Sequence, residues 1–120
     1  MMLHWLTSLI SKPLQRDPAR QRQVDQETSR LALYHFPLCP FCIKVNRVIR
    51  KLNLKIEQRN AASDSNWAGE LQHFGGKLQT PCLKIQQQDG DRWLYESDDI
   101  IRYLRQNFAT PDDLVKDHTA

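Results

Sequence analysis

Cys39 and Cys42 bracket Pro40 and Phe41, and two thiols at that spacing can exchange a disulfide or hold half of a metal site. The flanks decide between these. Upstream, Leu31 to Phe36 is a short apolar and aromatic run with the character of a buried strand. Downstream, Val45, Val48, Ile49 and Leu52 recur at i, i+3, i+4 and i+7, the buried stripe of a helix. The pair therefore stands at a strand-to-helix junction. Pro40 suits the first helical position, because its missing N–H would have no partner there and its φ is already helical, which makes Cys39 the N-cap. The amides of Phe41 and Cys42 then point at the Cys39 sulfur, and with the positive end of the helix dipole they favour thiolate over thiol. Cysteine pKa values in such settings fall from about 8.5 into roughly the 3.5–7.5 range. Cys42, one turn on, lies on the same helical face within reach of a disulfide, so it can resolve a mixed disulfide formed at Cys39.

A structural zinc would need four ligands. Cys82 and the histidines His4, His35, His73 and His118 offer neither a second C-x-x-C nor a spaced histidine pair, so no residue is assigned to a metal. Cys82 reads as a small buried hydrophobe. Three cysteines are too few for a secreted disulfide framework and suit a reducing compartment, so the expected location is cytoplasmic.

The elements that must position the dithiol follow in order. Its helix should end near Asn53, and Leu54 to Gln58 carries the alternation of a second strand, parallel to the first through a right-handed crossover. Ser63 or Asp64 caps a second helix, in which Trp67, Leu71 and Phe74 recur at i, i+4 and i+7 as core residues, and Gly75 and Gly76 stop it. Thr80 to Gln86 reads as a strand with Pro81 near its mouth, where proline is confined to a first residue or a special geometry. Arg92 to Glu96 is its hairpin partner across Gln88, Asp89 and Gly90. Ser97, Asp98 and Asp99 open a last helix with Ile100, Ile101, Leu104 and Phe108 on one face and its acidic residues at the favourable dipole end.

A chain of 120 residues has room for one core, and 26% charged with 40% hydrophobic residues is ordinary for a globular protein. The net charge of +3 comes from scattered basic residues, with no basic and aromatic alternation, so no nucleic-acid partner is implied. Met1 to Ile10 is apolar but too short to span a bilayer and lacks the flanks of a secretory signal. Its Leu3, Leu6 and Ile10 face suits a weak contact with a membrane surface or a protein, and the plainer reading packs it on its own domain. Lys12 to Arg30 is polar with little periodicity and reads as a linker, with room for a short helix between Ala19 and Ser29. The organisation expected is an extension over residues 1–30, a domain over 31–110 and a polar tail over 111–120.

This order of elements, with C-P-F-C opening the first helix, a proline at the mouth of the third strand and E-S-D-D opening the last helix, resembles the glutaredoxin family. The resemblance covers about residues 31–108 and implies an α/β, thioredoxin-like βαβαββα fold with a mixed four-stranded sheet flanked by helices. The segment from Leu94 to Leu104, LYESDDIIRYL, also resembles the glutathione-binding half of glutathione transferases. The resemblance implies that Cys39 is the attacking, glutathionylated cysteine, Cys42 the resolving one and Pro81 a cis-proline beside them. It implies that glutathione, as co-substrate, pairs its cysteinyl backbone with Thr80 and sets its γ-glutamyl group on Glu96, Ser97 and Asp98. One departure stands out. Many small glutaredoxins have a lysine three residues before the first cysteine, against the glycine carboxylate of glutathione, and here that residue is Phe36, leaving Lys77 or Gln79 as substitutes.

The activity implied is glutathione-dependent thiol–disulfide exchange on glutathione mixed disulfides or disulfide-bearing proteins. A helical second domain, the source of the electrophile site in transferases, is missing from the sequence pattern, which disfavours conjugation. Two other classes remain open. One is a carrier of a [2Fe–2S] cluster held between subunits by Cys39 and glutathione, which Pro40 disfavours and a colourless anaerobic preparation would exclude. The other is a non-catalytic interaction or membrane-recruitment protein, for which deletion of residues 1–11 is the test. Nothing in the sequence fixes the oligomeric state.

Overall fold

The computed structural model describes residues 12–114. The apolar face expected over Met1 to Ile10 lies outside them. The chain runs α1 (Pro18–Thr28), β1 (Leu31–His35), α2 (Pro40–Lys51), β2 (Glu57–Asn60), α3 (Ser65–Glu70), a π-helical turn (Leu71–Gly75), β3 (Cys82–Ile85), β4 (Arg92–Leu94) and α4 (Ser97–Phe108). The strands form one sheet in the order β2-β1-β3-β4. β1 pairs parallel with β2 and antiparallel with β3, and β4 closes the edge antiparallel to β3. This is a mixed four-stranded sheet flanked by helices, the thioredoxin-like architecture.

Alternation along β1 divides the interior. Leu31 and Leu33 join the larger cluster with Val45 and Ile49 of α2, Ile100, Leu104 and Phe108 of α4, and Val24 of α1. Tyr34 faces the other way, against Leu71 and Cys82, with Trp67, Trp93 and Tyr95 packed around them. Two successive residues thus point to opposite faces, as the pleat requires.

Local chemistry sets the ends of α2. Cys39 is its N-cap and Pro40 its first residue, and the Cys39 carbonyl accepts the first helical bond from Ile43 N–H at 3.0 Å. At the other end Asn53 takes a left-handed φ of 56°, which asparagine tolerates better than most residues. Leu54 N–H then bonds Ile49 C=O at 3.0 Å and Asn53 N–H bonds Arg50 C=O at 3.1 Å, the paired bonds of a Schellman stop. β2 begins at Glu57, later than the alternation from Leu54 suggested, although Leu54 and Ile56 are both buried.

Two expectations need correction. Phe74, placed in the core by its i+7 spacing from Trp67, is 69% exposed and packs edge-on against His73. The spacing assumed an unbroken α-helix, but residues 71–75 form a π turn, and the wider turn rotates Phe74 off the buried face that Leu71 keeps. Lys12 to Arg30, read as a polar linker with room for a short helix between Ala19 and Ser29, holds that helix as α1, which is no solvated spacer: it is capped by Asp17 and buries Val24 and Thr28. Its Leu14 N–H bonds the carbonyl of Lys51 at the end of α2. Low amphipathicity hid this helix, because only those two residues are inserted.

The expected tail is also engaged. The Asp113 carboxylate reaches back to Thr110, whose N–H and hydroxyl both donate to it at 2.8 Å, and the chain is helical again from Pro111. Arg16 and Arg20 converge on the same Asp113 carboxylate at 2.5 and 2.9 Å, with Arg16 and Asp113 side chains wholly buried. Burial by itself would raise the Asp113 pKa, but the hydrogen bonds from Arg20, Arg16 and Thr110 outweigh it and hold the carboxyl at about 2. Among the described residues no helix is long and apolar enough to cross a membrane.

Candidate active site

The N-terminal turn of α2 sets the two thiols in different surroundings. Cys39 is half-buried and Cys42 is buried, and both are thiols. Burial tends to raise the Cys39 pKa. It is outweighed by the amide of Cys42, the Cys42 thiol, the amide of Phe41 and the Thr80 hydroxyl, so the net shift is downward. Those amides face the sulfur without forming a conventional side-chain capping bond. For Cys42 burial dominates and the shift is upward, with the Cys39 sulfur adding to it against the opposing Phe36 backbone and Thr80 hydroxyl. The arrangement provides one sulfur biased to the anion and exposed enough to be attacked or to attack. The other is held protonated behind it.

Thr80 and Pro81 approach from the mouth of β3. Their peptide bond is cis, Pro81 is buried and Thr80 is half-buried beside both sulfurs. Glu96 is the N-cap of α4 but makes no side-chain capping bond, and it is exposed. Ser97 is the first helical residue and half-buried, so it does not act as the cap its sequence suggests. The first amides of α4 are thereby left without a side-chain cap from Glu96. Asp98 is exposed and bonds Lys44 of α2 at 2.8 Å, and this hydrogen bond lowers its pKa. Of the seven residues singled out by sequence, the structure therefore brings Cys39, Cys42, Thr80 and Pro81 together around the sulfurs. Glu96, Ser97 and Asp98 lie at the start of α4, tied to the dithiol helix through Lys44.

Lys44 was not foreseen. It is separated from Asp98 by 54 positions, and no local pattern marks such a pair. The substitutes considered for the missing lysine at Phe36 also separate. The Lys77 ammonium sits 4.8 Å from the centre of the Tyr95 ring, and the Tyr95 hydroxyl donates to the Lys77 carbonyl at 2.9 Å. Gln79 is exposed immediately before Thr80.

Cys82 stands apart from this chemistry. Burial pushes its thiol up to about 12, and it lies in the aromatic cluster on the other face of the sheet. There Arg59 donates to Tyr34 at 2.7 Å and to Glu70 at 2.6 Å while lying over the rings of Tyr34 and Trp67. The Tyr34 hydroxyl in turn donates to Glu70. Burial and Glu70 both raise the Tyr34 pKa, keeping the phenol protonated. Gly75 is required here, because a Cβ would meet the Tyr95 hydroxyl and come within 2.9 Å of the Trp93 ring. Among the described residues there is no cluster of three metal-ligating side chains.

Around the dithiol the surface is apolar. Leu38 is 90% and Phe41 59% exposed, one on each side of Cys39 in sequence. A cleft of about 580 Å³ opens between α2 and β2, bounded by His35, Cys42, Asn46 and Gln58 among others.

Solved structures share this frame. A mutant of the thioredoxin-like protein BC3987 superposes with a TM-score of 0.56 at 23% identity, over 66% of this chain and 96% of that one. The Leishmania protein TDR1, a trimeric glutathione transferase, gives 0.55 at 25% identity, over 66% of this chain and 18% of its own. Maleylacetoacetate isomerase from Anaeromyxobacter dehalogenans 2CP-1, with bound dicarboxyethyl glutathione, gives 0.51 at 22% identity, over 68% and 38%. This chain thus spans well under half of the length of the latter two. No curated protein sequence matches it. The profile of the glutathione S-transferase N-terminal domain matches residues 33–112, from inside β1 through the whole of α4, and with that match over more than half its length the chain belongs to this family.

Proposed function

We propose that this protein is a glutathione-dependent thiol–disulfide oxidoreductase, with Cys39 as nucleophile and Cys42 as resolving thiol. The observation that carries the reading is the opposed bias of the two sulfurs at one helix start, Cys39 lowered and Cys42 raised, beside the Thr80–Pro81 turn. Cys39 thiolate attacks a glutathione mixed disulfide, the partner leaves as a thiol after taking a proton, and Cys39 carries glutathione. A second glutathione thiolate attacks that bond, giving oxidised glutathione and restoring Cys39. Alternatively Cys42 attacks it, leaving a Cys39–Cys42 disulfide and releasing glutathione.

The family relation is the ground for glutathione as co-substrate. In this reading Thr80 pairs with its cysteinyl backbone, the amides at the start of α4 take the γ-glutamyl carboxylate, and Glu96, Ser97 and Asp98 line that end. The Lys44–Asp98 pair offers one charge of each sign to a zwitterionic group. The exposed Leu38 and Phe41 support a protein disulfide as the other reactant. A reducing, cytoplasmic setting suits three cysteines kept as thiols.

The test is reduction of a glutathione mixed disulfide of a small thiol, coupled to glutathione reductase, for the parent, Cys39→Ser and Cys42→Ser. Turnover should vanish with Cys39→Ser and persist with Cys42→Ser. An intact protein without turnover would overturn the reading.

A further inference from the structure

The proposed reaction leaves one step without a residue. When Cys42 resolves the mixed disulfide at Cys39 its buried thiol must lose a proton, and neither the amides at the start of α2 nor the Thr80 hydroxyl can carry one away. The cleft between α2 and β2 is lined by Cys42 and not by Thr80. His35, the last residue of β1, lines the same cleft. Its ring has no hydrogen bond or ion pair among the described residues, while its carbonyl is engaged by Ala61 N–H at 3.0 Å.

We propose that His35 accepts the proton of the Cys42 thiol, through water in the cleft that both residues line, as Cys42 attacks the mixed disulfide on Cys39. This rests on the dithiol reading above. The other charged side chains facing the cleft are Arg50 of α2 and Lys55 ahead of β2, both cationic, and the Lys55 ammonium is paired with Asp25 of α1 at 3.3 Å. Among the described residues no carboxylate lines the cleft to compete for the proton. Burial lowers the His35 pKa, so the imidazole is neutral and able to accept near pH 7. Asn46 and Gln58 give the walls polar groups, and a space of about 580 Å³ holds several water molecules at about 30 Å³ each.

The step balances. Cys42–SH transfers its proton to the imidazole, and the resulting thiolate forms a bond to Cys39 sulfur. The bond from Cys39 to the substrate sulfur breaks, and that sulfur leaves with the electron pair. The Cys42 sulfur is oxidised from thiol to disulfide level, the leaving sulfur is reduced from disulfide to thiol level, and Cys39 stays at the disulfide level throughout, so no outside oxidant is needed. The imidazolium returns its proton to the leaving thiolate or to solvent.

Reaction with dithiobis-nitrobenzoate isolates this step. Attack by Cys39 releases one thionitrobenzoate and leaves another on Cys39, and attack by Cys42 releases the second, which stopped-flow absorbance follows. His35→Ala should slow the second release by roughly a hundredfold near neutral pH, the lower edge of what positioned proton transfer contributes. The gap should narrow as pH rises toward the raised pKa of Cys42, where more of the thiol ionises without help. Added imidazole, small enough for the cleft, should restore the rate in proportion to its neutral form, whereas sodium chloride at equal ionic strength should not. If His35→Ala unfolds, His35→Gln keeps most of the side-chain volume, and its pH profile is the readout. A second release with the parent's pH profile, or a loss equal at every pH and indifferent to imidazole, would overturn the proposal. Failure of the first release would instead count against Cys39 as the nucleophile.

Discussion

The two ends of α2 and α4 are put to opposite uses. α2 starts at the dithiol, its first amides turned toward the Cys39 sulfur, and α4 starts beside α2, joined to it by the Lys44–Asp98 bond, with no side-chain cap from Glu96. Both finish at the far side, where partners close them. Arg16 donates to Phe108 C=O at 2.7 Å and Arg20 to Asn107 C=O at 3.0 Å, placing two cations on the negative end of α4. Leu14 N–H closes the last carbonyl of α2. Asp113 then pairs with both arginines, leaving one net positive charge at the carbonyl end of α4. One end leaves its helix termini open to an anion or a thiolate, and the other satisfies them internally. The difference teaches that stability and chemistry have been separated along the same two helices.

If that separation is real, the largest effect on folding lies at the closed end. Asp113→Ala removes the only carboxylate paired with buried Arg16 among the described residues and leaves its charge uncompensated. A loss of about 3–5 kcal/mol is expected. Urea unfolding of the variant measures it, and the reactivity of Cys39 toward a disulfide in the remaining folded protein should match the parent. A loss below about 1 kcal/mol would mean the cluster does not hold the termini of α4.

Acid should reach the same end more gently. The folded Asp113 carboxyl, at about 2, lies below its unfolded value near 3.9, so its stabilisation is complete above about pH 4 and disappears as pH falls through about 2. A depression of that size corresponds to about 2–3 kcal/mol. Unfolding free energies measured at steps between about pH 5 and pH 2 should therefore fall, and the fall should be much reduced in Asp113→Asn, which has no carboxyl to protonate.

The open end was far more legible in the sequence than the closed one, for a physical reason. A thiol pair, a proline at the first helical position and a 3.6-residue stripe are local, so residues 39–52 announce both their structure and their chemistry. The β1–α2–β2 crossover and the faces of α4 follow from the same periodicity. The clamp is instead made by residues 97 positions apart, Arg16 and Asp113, whose polarity in isolation reads as solvent exposure. Arg59, Tyr34 and Glu70 were missed likewise, since a buried guanidinium is intelligible only once its ring partners are in place. Phe74 failed for another cause: periodicity carries no warning that the helix widens into a π turn at Leu71. Thr80, Glu96, Ser97 and Asp98 came from family resemblance, not from spacing, and Lys44 came from neither.

Lys44 is where the comparison can be sharpened with the smallest effect on folding. Its bond to Asp98 joins α2 to α4 at the open end, as Arg16 and Arg20 join elements at the closed end, but the two side chains are 49% and 76% exposed. In that solvent the pair adds little to stability. Its sign follows from Asp98, whose carboxyl is lowered by the Lys44 hydrogen bond, so the attraction is present above the ordinary carboxylate range and lost as pH falls through the lowered value. Lys44→Met keeps the length and apolar stem of the side chain while removing the charge, and its unfolding free energy should stay close to that of the parent. If the Lys44–Asp98 pair receives the zwitterionic end of glutathione, KM for the glutathione mixed disulfide should rise severalfold with kcat little changed, the pattern of an interaction made equally in the bound ground state and the transition state. A drop in kcat at constant KM would place Lys44 in the chemistry at Cys39. No change in either, with stability lost instead, would make the open end a second structural clamp and erase the contrast.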